Sequence, residues 1–200
     1  MKDLSLTSGT ALVVVAHPDD ETIWMGGTML MHPEMQWTIL SLCRADDDDR
    51  APKFSKVCGK FGAKSIMSDL EDEWIMSLEA SIPEIEKRVM DLLSAKEYDY
   101  IFTHNKNGEY GHVRHVGAHE AILNLIKNKI LRARELYFFS YERKSKAEFA
   151  EPNMDAPYSV RLPKEIFYSK IELIHSWYGF DTKSFECQSS QRVETFEKYL

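Results

Sequence analysis

The chain alternates between short, continuous apolar runs and longer stretches in which apolar positions recur at helical spacing. Ala11-Leu12-Val13-Val14-Val15-Ala16 is an uninterrupted, Val-rich run, which reads as a strand buried on both faces. Residues 37–43, 64–67, 98–103 and 135–141 read as further strands. Helices are predicted over residues 21–31 and 52–61, along Ile85, Val89, Leu92 and Leu93, and along Ala118, Ala121, Ile122, Leu125 and Ile126. Ser81 and Glu84 have capping-box spacing, Gly62 closes the second helix, and Pro163 suits the first turn of a last helix over residues 162–177. The Gly26-Gly27 pair weakens the first helix and implies close packing there. Repeated βα units imply an α/β fold, with a mostly parallel sheet and helices on both faces. No repeat or boundary divides the chain, so residues 1–200 are expected to form one domain, with 151–157 as its candidate mobile loop.

Composition narrows the class. Two hundred residues at 44% hydrophobic content can bury a substantial core. A net charge of −7 without any basic tract argues against nucleic acid as a partner. Cys43, Cys58 and Cys187 are odd in number and lack CxxC spacing, so they read as reduced thiols of a cytoplasmic protein. No stretch approaches the roughly 20 apolar residues of a membrane span. A homo-oligomer is compatible with all of this.

The chemistry gathers in two clusters. His17-Pro18-Asp19-Asp20-Glu21 follows the first strand directly, at the carboxyl end where open α/β sheets bind ligands. Two carboxylates and an imidazole crowded there are costly to bury unless a cation or substrate receives them. Gly108-Glu109-Tyr110-Gly111-His112-Val113-Arg114-His115 follows the strand at 98–103 and opens a helix. With His17 and Asp20, one histidine of this second cluster completes the three-ligand set typical of catalytic zinc.

Blander readings compete. Asp20 could simply cap the next helix. His119 lies four residues after His115, so that pair could instead be the ligands, although a helix flank suits His119 better. Residues 46–49 lack the spacing of an EF-hand and read as a solvated loop. His104 closes a strand and could approach the site, whereas His32 and His175 read as structural. Trp74 and Trp177 could stack on a sugar face or pack at an edge.

Taken together, His17-Pro18-Asp19-Asp20-Glu21 with Gly26-Gly27-Thr28, followed by Gly111-His112-Val113-Arg114-His115, resembles the LmbE/PIG-L family of zinc-dependent N-acetylglucosaminyl deacetylases. The resemblance spans roughly residues 10 to 140 and implies a Rossmann-like three-layer sandwich. It implies Zn2+, or another divalent ion such as Fe2+, held by His17, Asp20 and His115. Asp19 is then the general base, and His112 stabilises the oxyanion or supplies a proton. Arg50 falls on a substrate-holding arginine of the family. The implied reaction hydrolyses a small N-acetylated amino sugar to acetate and a free amine. His175-Ser176-Trp177 lacks the Gln that many members carry after such a His-Ser pair, so the C-terminal pocket wall lies outside the resemblance.

Two other classes compete with this reading. A phosphoesterase-type metal hydrolase would need more placed ligands for a second ion. A non-catalytic metabolite-binding protein would be expected to lack Asp19 or His112, and both are present. The carboxylates at 46–49, set against Arg50, favour a neutral or cationic glycan over an anionic one.

Overall fold

The Val-rich run becomes the strand β2 (Thr10–Val15) near the middle of an eight-stranded sheet. The computed structural model describes all residues except 74 and 146, so the stacking candidate Trp74 lies outside the described residues. Around β2 the chain places β1 (Lys2–Asp3), α1 (Asp20–Met31), β3 (Gln36–Ser41), α2 (Arg50–Lys60), β4 (Lys64–Met67), α3 (Leu78–Leu92) and β5 (Glu97–Thr103). The turn α4 (Gly108–Gly111), α5 (Val113–Lys127), β6 (Arg132–Phe139), β7 (Tyr141–Glu142) and β8 (Glu151–Pro152) follow. The chain ends with β9 (Tyr158–Arg161), α6 (Lys164–Glu172), a π-helical stretch Leu173–Tyr178, α7 (Phe185–Ser189) and β10 (Val193–Lys198).

The sheet order is β1-β9-β10-β6-β5-β2-β3-β4. Pairing is parallel from β6 through β4 and between β1 and β9, and β10 runs antiparallel to both its neighbours. Two apolar cores, one on each face, make three layers. One core packs Ile23, Met29, Phe54 and Ile174 from α1, α2 and the π-helical stretch; the other packs Ile85, Ala118 and Ile122 from α3 and α5. The chain order reverses at the β2/β5 boundary, so a crevice opens outside those two carboxyl ends. Both sequence clusters emerge there.

Several boundaries differ from expectation. The third helix starts a turn early: Ser77 caps it by accepting from the Ala80 N–H, while Ser81 is buried inside the helix and bonds the Leu78 carbonyl. The strand expected at 135–141 begins at Arg132 and breaks after Phe139. The candidate mobile loop is tied down, with Glu151–Pro152 paired to Tyr141–Glu142 and the Asn153 N–H donating to the Ser140 carbonyl. Strands β1, β9 and β10 lack an apolar run long enough to be recognised, and their pairing comes from tertiary contact.

The glycine pair in α1 has the expected cause. A Cβ on Gly27 would lie 2.3 Å from a Leu162 methyl, so glycine lets the two segments meet without displacing that buried side chain. The helix also breaks at Met25, whose φ of −148° is not helical. Glu194 of β10 accepts the N–H groups of Gly27 and Thr28 at 2.8 and 2.7 Å, serving as an anionic cap for the restarted helix. Lys170, equally buried, completes this carboxylate's shell at 2.7 Å.

Candidate metal centre and cleft

His17 lies two residues past β2, and the turn it opens returns Asp20 beneath it, where the Asp20 carboxylate accepts the His17 backbone N–H at 2.9 Å. Across the crevice, His112 caps α5 and His115 lies one turn into that helix. His17 Nδ1, Asp20 Oδ2 and His115 Nε2 thus form a nearly equilateral triangle with edges of 3.2, 3.3 and 3.2 Å. A tetrahedral ion with bonds near 2.0–2.1 Å spaces its ligands by about 3.3–3.4 Å. The donor set therefore fits one such ion.

The charge on these groups points the same way. Burial pushes His17 and His115 down, but hydrogen bonds and charge from Asp20 and other carboxylates outweigh it, raising them to about 9 and about 10. Burial pushes Asp20 up, yet the charges of His115 and His104 hold it well below the usual carboxylate range. The site therefore draws protons onto its imidazoles, and a divalent cation can take the place of those protons.

Each ligand is held from behind. His17 Nε2 meets Asp72 at 3.0 Å, and Arg44 steadies the other Asp72 oxygen at 3.0 Å. Asp20 Oδ1 accepts from the Trp24 indole at 2.9 Å. His115 Nδ1 donates to Glu109 at 2.6 Å. His104 does approach the site, stacking on His115 with ring centroids 3.8 Å apart. Its nitrogens are occupied: Nε2 accepts the Ala16 N–H at 2.9 Å and Nδ1 donates to Glu109 at 2.7 Å. His104 is thus a brace between β2 and β5, with no nitrogen left for a metal.

Asp19 stands beside the triangle with φ of 141°, a strained value for a residue with a Cβ. Its carboxylate meets Arg50 at 3.2 Å, which brings the sequence-derived base and arginine together. Burial and the neighbouring Asp20 charge push the Asp19 carboxyl well above its ordinary value. The His112 ring stands edge-on to His17, with centroids 4.6 Å apart. Its Nδ1 accepts the Arg114 N–H at 3.3 Å, which leaves Nε2 to carry the proton of the neutral ring. Burial and the nearby imidazole charges push His112 down to about 3, which favours its neutral ring.

These groups floor a cleft of about 200 Å³, walled by Arg44, Arg50, Tyr110, Phe185 and Glu186. Once a bound ion has displaced the imidazole protons, four carboxylates (Asp19, Asp20, Asp72, Glu186) and two arginines leave the lining a formal −2, which one divalent ion would neutralise. The remaining candidates lie elsewhere. His119 bonds the His104 carbonyl at 3.1 Å and packs its ring on Phe138. His32 bonds the Thr28 carbonyl, and exposed His175 bonds that of Phe180. Trp177 lies under Lys56, outside the cleft lining. The acidic loop is also outside it: Asp47 accepts the N–H groups of Asp49 and Arg50 ahead of α2, and Asp49 pairs with Lys53. Sequence reasoning missed Glu109, Asp72 and Glu21 as site builders. Glu109 lies inside the second motif and was a findable signal; Asp72 sits in an acidic stretch with no pattern.

The PIG-L family model, described as GlcNAc-PI de-N-acetylase, matches residues 12–126. An uncharacterized protein of Acanthamoeba polyphaga mimivirus is 25% identical, covering 84% of this chain and 75% of its own. A conserved protein of Thermus thermophilus has the same fold, with a TM-score of 0.70 at 14% identity over 95% of this chain and 94% of its own. The N,N'-diacetylchitobiose deacetylase of Pyrococcus horikoshii superposes with a TM-score of 0.63 at 14% identity, covering 95% of this chain and 83% of its own.

Proposed function

Because the chain belongs to the PIG-L family, we propose that it is a metal-dependent hydrolase removing the acetyl group from an N-acetylglucosamine-type sugar. The observation that carries this reading is the donor triangle of His17, Asp20 and His115, with Asp19 beside it at the floor of an open cleft. Zinc bound there would polarise the amide carbonyl and acidify a water.

This chain's own residues supply the remaining steps. Asp19 takes a proton from the water that adds to the carbonyl carbon. The neutral His112 Nε2–H donates a hydrogen bond to the oxyanion that forms. As the C–N bond breaks, Asp19 returns its proton to the departing nitrogen, giving acetate and a free amine. Arg50 orients the base and forms one wall. Tyr110 and Phe185, packed edge-on with centroids 4.6 Å apart, offer an aromatic surface for a sugar face.

The near-neutral charge of the metal-loaded cleft favours an uncharged sugar. This preference stands on a different ground from the acidic loop, which does not line the cleft and whose Asp47 and Asp49 are turned to other partners. Purified protein assayed for acetate release over a panel of N-acetylated sugars, before and after chelation, tests the proposal. Turnover that survives complete metal removal would overturn it.

A further inference from the structure

We infer that residues 178–180 are a positioning device for Asp19, gripping its backbone through Glu21 and its carboxylate through Arg50. The inference rests on the reading of Asp19 as the base. A φ of 141° persists at a non-glycine residue only where the surroundings over-determine it, and here two contacts do so.

At the backbone end, Glu21 Oε2 accepts the Asp19 N–H at 3.0 Å. The other oxygen, Oε1, accepts from the Thr22 hydroxyl at 2.5 Å and the Tyr178 hydroxyl at 2.8 Å. Glu21 is 0% exposed and Tyr178 2%, so no bulk water competes for this carboxylate, and Tyr178 shares with its neighbour Thr22 the task of fixing how it is turned. At the carboxylate end, Arg50 reaches Asp19 Oδ2 at 3.2 Å while its guanidinium lies 4.3 Å above the Phe180 ring. That stacking holds a flexible side chain in one place.

Both grips come from one feature of the chain. Tyr178 ends the π-helical stretch Leu173–Tyr178, and Gly179, at φ 88°, reverses the backbone before Phe180. With this end to the helix, Tyr178 meets Glu21 of α1 and Phe180 meets Arg50 of α2. The device lies outside the span matched by the family model, residues 12–126. It therefore adds a support from the C-terminal segment that the motif itself does not contain.

Tyr178→Phe and Phe180→Leu, made separately in the metal-loaded full chain, test it with two readouts. The first is hydrogen exchange at the Asp19 amide; the second is kcat and KM for acetate release from N-acetylglucosamine and N,N'-diacetylchitobiose. Tyr178→Phe is expected to speed exchange at that amide and lower kcat by up to about tenfold, with KM and metal content unchanged. Phe180→Leu is expected to lower kcat with little change in exchange, because it acts at the carboxylate. Glu21→Gln keeps an acceptor for the Asp19 N–H and should retain more turnover than Glu21→Ala. If Tyr178→Phe leaves the exchange rate as in wild type, the positioning role is overturned whatever the kinetics. If wild type releases no acetate from either sugar while Tyr178→Phe still speeds exchange, the deacetylase reading falls and the grip on Asp19 stands.

Discussion

Glu109 accepts the Nδ1–H of His115 across 2.6 Å, with both side chains fully buried. The same carboxylate oxygen accepts from His104, and the other accepts the Asn105 backbone N–H. A histidine whose Nδ1 proton is committed in this way presents a lone pair on Nε2, the tautomer a metal needs. Gln at position 109 would turn an amide N–H against one of these donors. Glu109→Gln is therefore expected to weaken metal affinity by about 10–100-fold, read by chelator competition. Unchanged affinity would show that His115 needs no such support.

Metal analysis of the purified protein is expected to give one divalent ion per chain, zinc, with Fe2+ as the alternative. His115→Ala should abolish binding and His119→Ala should leave it whole, since His119 faces Phe138 and the His104 carbonyl. Full occupancy in His115→Ala would move the ligand set elsewhere.

Asp19→Asn preserves the side chain's shape and leaves the three donors in place. Metal content is expected to hold while turnover drops by roughly 10²–10⁴-fold, the usual contribution of a general base. Near-wild-type kcat in this variant would make Asp19 a structural residue.

The buried Lys170–Glu194 pair closes the break in α1, so removing Lys170 leaves a buried carboxylate with its backbone and Thr28 donors but without its countercharge. Lys170→Met is expected to destabilise the fold by about 3–5 kcal/mol in denaturant titrations. Burial pushes the Lys170 pKa down, and Glu194 only partly opposes this. Between its native value and the ordinary lysine value of about 10.4, the unfolded chain binds more protons, so wild-type stability gains with rising pH. Lys170→Met should lack that gain; equal slopes for both proteins would contradict the assignment.

Matched neutral and anionic N-acetylglucosamine conjugates test the charge balance of the cleft. Metal-loaded enzyme is expected to prefer the neutral conjugate, with a rate that varies little with salt. A strong preference for the anionic conjugate that vanishes in Arg50→Ala would show that the arginine dominates recognition.

Among the described residues no helix is long and apolar enough to cross a membrane. The sequence alone determined the parallel core, because an unbroken apolar run such as residues 11–16 needs cover on both faces wherever the rest of the chain goes. It also determined the two motifs and their place at strand ends, since residues close in sequence share one turn or one helix start. Their meeting was decided by the tertiary structure: His17 and His115 are 98 positions apart, and only β2/β5 pairing brings their nitrogens to 3.2 Å. Asp72, Glu194, Tyr178 and Phe180 belong to the same class. Each carries an ordinary side chain in an unpatterned stretch, and its role arises from what burial places opposite it. The antiparallel insertion of β10 between β9 and β6 was likewise invisible, because strand partners are chosen by long-range packing that no local period records.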